Sequence, residues 1–271
     1  KGKENLMKLF LLIFFLLNNK FILADEFPNL FGCFCEGGLI VGKIDQKDKI
    51  IIDGSEIKTF KNGEFIFAFG RKYKDQITIK FNDTIKTFKV EKKKYKIERI
   101  SGLPKKKVEP NKDDLKRIIK DREKIKLSKK LGEKKKLFGS KFILPVKGRL
   151  SGVFGSQRIL NSKPRSPHYG IDIAQKEGAP IVAPSSGKVK LVDYGMFFTG
   201  NTVVVDHGLG LISIFAHLQD IFVTEGQYLK IGEKIGSVGM TGRATGPHLH
   251  WGIYLEKKPV DPLSLTESDF Y

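Results

Sequence analysis

From residue 142 to the end of the chain, no stretch holds the three-to-four spacing of apolar residues that an amphipathic helix needs. Short apolar runs are cut by glycines instead. Residues 181–183, 188–193, 202–206, 211–216, 234–238 and 250–254 read as strands. Glycines at 187, 195, 200, 208, 210, 226, 232, 236, 239, 242 and 246 mark tight turns between them. This punctuation restricts the segment to a compact antiparallel β domain of about 120 residues.

Four of the five histidines fall into three short motifs within this β-rich stretch. His168 stands four residues before Asp172. His248 and His250 bracket Leu249. His217 ends the apolar run 211–216. Residues two apart on a strand point the same way, so His248 and His250 share a face and Leu249 turns into the core. His168 and Asp172 share a face if their segment is extended. By the same alternation Ser213, Phe215 and His217 fall on one side of their strand. Neutral imidazoles and a carboxylate suit zinc, and groups left over from the ligand set can move protons. His207 sits in the Asp206-His207-Gly208 turn and is assigned a local hydrogen-bonding role outside the site.

The formal charge of +19 is concentrated. Residues 86–149 carry 25 Lys+Arg against 8 Asp+Glu, whereas residues 150–271 carry 11 of each. The motif-bearing segment is therefore neutral. Nucleic acid is disfavoured as a partner, because counterion release needs positive charge at the contact surface. The basic middle reads first as a solvated face; its functional alternative is attraction to anionic envelope polymers or lipid head groups. In 101–140, Gly102, Pro104 and Pro110 end the strands, Asn111 caps a helix, and Leu115, Ile118, Ile119 and Ile125 give a partial apolar stripe.

Residues 25–100 read as a small β-sandwich-like unit, with strands near 39–41, 49–52, 64–67, 76–81 and 84–90 and turns at Asp53-Gly54, Asn62-Gly63 and Asn82-Asp83. It contains no histidine. Cys33 and Cys35 are read as incidental thiols. Met7-Lys8, the apolar run 9–17 and Ala24 resemble an export signal over residues 1–24, placing the protein in the periplasm or cell envelope, and membrane-anchored if the signal stays uncleaved. The expected organisation is a signal (1–24), a β accessory unit (25–100), a basic helical linker (101–140) and the histidine-bearing β domain (141–271), mainly β throughout.

Residues 142–262 resemble the lysostaphin-type, LytM-like zinc endopeptidases. The resemblance rests on 167–174, on Val182-Ala183-Pro184 with Gly187-Lys188-Val189, on Val205-Asp206-His207-Gly208 and Ala216-His217-Leu218, and on 241–250. It implies that His168, Asp172 and His250 bind zinc, and that His217 and His248 act on the attacking water and the tetrahedral intermediate. It also implies hydrolysis of peptide cross-links in peptidoglycan. Some relatives lack zinc ligands and instead bind and activate separate murein amidases, and the alternative for this chain is a non-catalytic murein-binding or amidase-activating envelope protein. All five positions here carry the family's residue types.

Overall fold

A computed structural model describes residues 27–130 and 132–270. The expected export signal lies outside the described residues. The N-terminal unit contains β1 (Leu30–Gly32), β2 (Leu39–Lys43), β3 (Ile50–Ile52), β4 (Ser55–Glu56), β5 (Glu64–Ala68), β6 (Gln76–Phe81) and β7 (Thr84–Lys89). They form two antiparallel sheets, ordered β1-β2-β5 and β4-β3-β6-β7. In β6, Ile77, Ile79 and Phe81 are buried while Gln76, Thr78 and Lys80 are exposed, the alternation of a half-buried strand. These side chains meet Ile40, Ile50, Ile52, Phe65 and Phe69 between the sheets.

The sheet β1-β2-β5 is covered on both faces. Ile40 and Phe65 point into the sandwich. Leu39, Val41, Ile66 and Ala68 point the other way, into the core that contains Phe154, Ile173, Phe215 and Trp251. The accessory unit and the C-terminal part therefore share a hydrophobic core. Burial of such side chains stabilises by about 1.5–3 kcal/mol each.

The middle stretch differs from a free linker. Strand β8 (Ile97–Ile100) precedes a short helix α1 (Lys105–Val108) and the longer α2 (Lys112–Ser128). Asn111 caps α2 by accepting from the Asp114 amide at 2.8 Å. Of the expected stripe, Ile118 is buried and Ile125 packs beside Ile212, Ile214 and Tyr254, whereas Leu115 and Ile119 are exposed. The helix is pinned by Lys124 to Asp193, by Arg117 to the Gly195 carbonyl, and by Asp121, which accepts from the Phe197 amide at 2.8 Å.

The C-terminal part contains β9 (Arg149–Gly152), β10 (Gln157–Leu160), β11 (Lys163–Pro164), β12 (Ile171–Ala174), β13 (Pro180–Val182), β14 (Gly187–Met196), β15 (Gly200–Asp206), β16 (Leu211–Ile221), β17 (Tyr228–Leu229), β18 (Lys234–Val238), β19 (His248–Leu255), β20 (Lys258–Val260) and helix α3 (Pro262–Thr266). Its main antiparallel sheet runs β17-β14-β15-β16-β19-β12-β9. Phe215 and Trp251 face each other across β16 and β19 and are fully buried in the main core. The opposite face carries Ile212 and Ile214, and α2 lies against it.

Two sequence expectations change here. Strand β8, assigned to the accessory unit, pairs in parallel with β10, so that unit does not end at residue 100 as a separate body. Cys33 and Cys35 are joined in a disulfide rather than left as thiols. Their Cα atoms lie 5.3 Å apart, within reach of a bridge despite the separation of two residues. No helix among the described residues is long and apolar enough to cross a membrane.

Candidate metal centre

Strands β12 and β19 build the centre. Asp172 stands directly opposite His250 in their antiparallel register, and Ala174 stands opposite His248. Directly paired residues share a face, so the carboxylate and the His250 ring meet across the ladder. Leu249 is fully buried between the two histidines, as the alternation requires. His168 enters from the loop before β12. Its ring Nε2 lies 3.1 Å from Asp172 Oδ1, and His250 Nδ1 lies 2.8 Å from the same oxygen. The two imidazole nitrogens are 2.9 Å from each other.

Those three donor atoms lie within 4.8 Å of one another. His168 Nδ1 bonds the Val153 carbonyl at 3.2 Å. A carbonyl can only accept, so Nδ1 carries the hydrogen and Nε2 presents a lone pair toward the cluster. Two imidazoles and one carboxylate form a three-ligand set of the kind that leaves a coordination position open. The residues fit a zinc ion.

His217 and His248 complete the group. Their ring centroids are 4.7 Å apart, and His217 lies 6.2 Å from His250. His248 Nε2 is 3.9 Å from Asp172 Oδ1. Each anchors its Nδ1–H on a backbone carbonyl, His217 on Thr241 at 2.7 Å and His248 on Gly246 at 2.9 Å. Both therefore offer Nε2 as an acceptor.

Strand alternation alone would have sent His217 into the core beside Phe215. Instead its φ is +65°, and β16 changes partner there, from β19 at Ala216 to β18 at Leu218. The left-handed residue re-aims the imidazole onto the face occupied by His250. Such a conformation costs about 1–3 kcal/mol for a non-glycine residue. Hydrogen bonds offset this cost: the His217 amide donates to Thr199 at 2.7 Å, and Thr241 donates its hydroxyl to the Leu218 carbonyl at 2.9 Å. Gly200 allows this approach, because a Cβ there would meet Thr241 Oγ1 at 2.2 Å.

Burial disfavours the charged form of two of these rings, His217 and His250. Burial pushes His217 down to about 3, and the neighbouring histidines add to the effect. Burial likewise pushes His250 down to about 4, against the pull of Asp172. Burial alone would raise Asp172, but the adjoining His168 and His250 rings outweigh it and hold the carboxyl well below the usual range.

Arg158 on β10 was not picked out by the sequence reading. One guanidinium nitrogen bonds Asp172 Oδ2, and its Nε donates to Glu98 on β8 at 3.2 Å. Gly152 leaves room for this clamp, since a Cβ there would sit 2.5 Å from Asp172 Oδ2. A long-range ion pair of this kind leaves no local spacing to read. His207 stays outside the centre, as expected. It is fully buried, with Nδ1 donating to the Ser186 carbonyl and Nε2 accepting from Ser213, both at 2.8 Å.

The chain is similar to several known proteins. An uncharacterized metalloprotease of Buchnera aphidicola is 36% identical over 126 residues, 46% of this chain and 33% of that protein. A peptidoglycan DD-endopeptidase of Vibrio cholerae, ShyB, is 40% identical over 97 residues, 36% of this chain and 22% of that protein. The matched region thus spans about a third or less of these curated relatives. A crystal structure of a candidate peptidase M23 from Pseudomonas aeruginosa superposes with a TM-score of 0.61 at 29% identity, covering 86% of this chain and 94% of that one. Residues 166–262, which hold all five clustered side chains, match the model of Peptidase family M23, so this segment is a Peptidase M23 domain.

Proposed function

We propose that this protein is a zinc-dependent endopeptidase that cleaves peptide bonds in peptidoglycan. The observation that carries the reading is the convergence of five side chains from β12, β16, β19 and the loop before β12, with three Nδ1 atoms tied to carbonyls. The likeness to a peptidoglycan DD-endopeptidase supports the substrate class. His168, Asp172 and His250 would hold the ion. When bound, zinc supplies Lewis acidity toward a scissile carbonyl and toward water.

The other residues prepare proton transfer. His217, with its Nδ1–H tied to the Thr241 carbonyl, presents the Nε2 lone pair that can take a proton from the attacking water. A proton gained at Nε2 turns the same ring into a donor toward the negative charge that develops on the substrate oxygen. His248 presents Nε2 in the same way. Arg158 holds Asp172 in orientation through the oxygen that faces away from the histidines. The apolar sequence at 9–17 supports action in the cell envelope after export.

The test is incubation of the full chain with purified sacculi, with zinc and with chelator. Release of new muropeptides in the zinc arm alone is expected. An unchanged muropeptide profile at saturating zinc rejects the reading.

A further inference from the structure

Beside the histidines lies a cavity of about 510 Å³, lined by Arg122, Arg158, Arg165 and Arg243 together with His168 and His250. No aspartate or glutamate lines it. The whole chain has only eight arginines among its 49 Lys and Arg, so half of them gather here. Arg158 is neutralised by Asp172 and Glu98. Arg122, Arg165 and Arg243 form no ion pair among the described residues. The crowding is felt: burial, and then the charges of Arg158, Arg165 and Arg122, push Arg243 down to about 10.

Like charges do not gather in a cleft without a counter-charge, and a bound divalent metal would raise the positive potential further. The guanidinium groups are held in place. Arg243 lies over the Phe198 ring at 4.2 Å and donates to the Lys107 carbonyl at 3.4 Å. Arg165 donates to the Val108 carbonyl at 2.7 Å. Both acceptors are neutral backbone oxygens of α1. A carboxylate offered to the same N–H groups is the stronger acceptor and matches the planar fork in two-point geometry.

We infer that Arg165 and Arg243 form an anion subsite that selects peptides carrying a free carboxylate next to the bond to be cut. This rests on the hydrolase reading and specifies its substrate: an acidic peptide, with the carboxylate supplied either by its C-terminus or by a side chain. The subsite lines the same cavity as His168 and His250, so the anion it receives belongs to the molecule being cleaved.

The test uses the zinc-loaded full chain and four forms of one cross-linked stem peptide: free acid, C-terminal amide, side-chain amide and doubly amidated. Chromatography gives KM and kcat. Anisotropy of the same labelled peptides gives Kd on chelator-treated protein. Amidation of the recognised carboxylate is expected to raise both KM and Kd about tenfold or more, the size of a charged hydrogen bond, and the sensitive arm identifies its source. Arg243→Gln and Arg165→Gln should each bring the acid-to-amide ratio toward one, and Arg243→Lys should restore part of it. If Arg243→Gln fails to melt cooperatively, the peptide series on the unmodified chain and on Arg165→Gln decides. Equal KM and Kd for all four forms overturns the subsite and leaves the hydrolase reading intact. Carboxylate-dependent binding without any hydrolysis does the reverse.

Discussion

Replacing Ser213 by alanine removes one hydroxyl from the centre of the sheet. That hydroxyl donates to His207 Nε2 at 2.8 Å and accepts from Trp251 Nε1 at 3.2 Å, with all three residues fully buried. Ser213→Ala would leave an indole N–H and an imidazole lone pair unpaired where no water reaches. Each orphan costs about 1–3 kcal/mol, so the variant should lose about 2–6 kcal/mol. For a chain of this size one kcal/mol moves Tm by about 2–4 °C, which gives a fall of at least about 4 °C and up to about 24 °C at pH 7.5. The pH response follows from His207, whose ring burial pushes down from 6.5 to about 4. With the folded-state value depressed, the unfolded chain binds its proton first. Stability is therefore full above about pH 6.5 and drains as pH falls toward 4, by up to about 3 kcal/mol. His207→Gln should flatten this part of the profile. The assay is a set of circular-dichroism melts of the parent and both variants between pH 4.5 and 8. A Tm change under about 2 °C for Ser213→Ala, or an unaltered acid slope for His207→Gln, would refute the argument.

Substituting His168, Asp172 or His250 with alanine should abolish zinc retention and turnover together, as read by metal analysis after gel filtration. His217→Ala and His248→Ala should retain zinc and lose about 10²–10⁴-fold in kcat, which steady-state assays on the same preparations would check. Gly152→Ala should weaken zinc binding in a competition titration with a chromogenic chelator and cost about 1–3 kcal/mol of stability, because the new Cβ displaces Asp172 Oδ2. Zinc at 1,000 times its Kd should stabilise the parent by about 4 kcal/mol, raising Tm by about 8–16 °C, and should leave Asp172→Ala unmoved.

Local spacing made part of this centre legible in the sequence. The pair His248 and His250 is a period-two signal, and Leu249 between them goes to the core as that period demands. Asp172 is four residues beyond His168, but His168 sits in the loop before β12, so their meeting is set by that loop and not by an extended chain. His217 was singled out because it ends an apolar run, but its direction was not readable. The residue turns on a positive φ and a change of strand partner, and both depend on strands far away in sequence. Arg158 was invisible for the same reason, since its partners lie 14 and 60 residues away. The two-sided sheet β1-β2-β5 could be guessed from the run Leu39-Ile40-Val41, which lacks alternation, yet the partner for its second face lay in the C-terminal core.

The pairing of β8 with β10 carries a practical lesson about where this protein can be cut. A fragment trimmed to begin at residue 141 would contain every ligand yet lose Glu98, leaving the Arg158 Nε without its carboxylate and β10 without its parallel neighbour. Such a minimal piece should turn over more slowly, or denature more easily, than its intact list of histidines suggests. The seam chosen for expression thus has to fall upstream of residue 97, outside the matched segment.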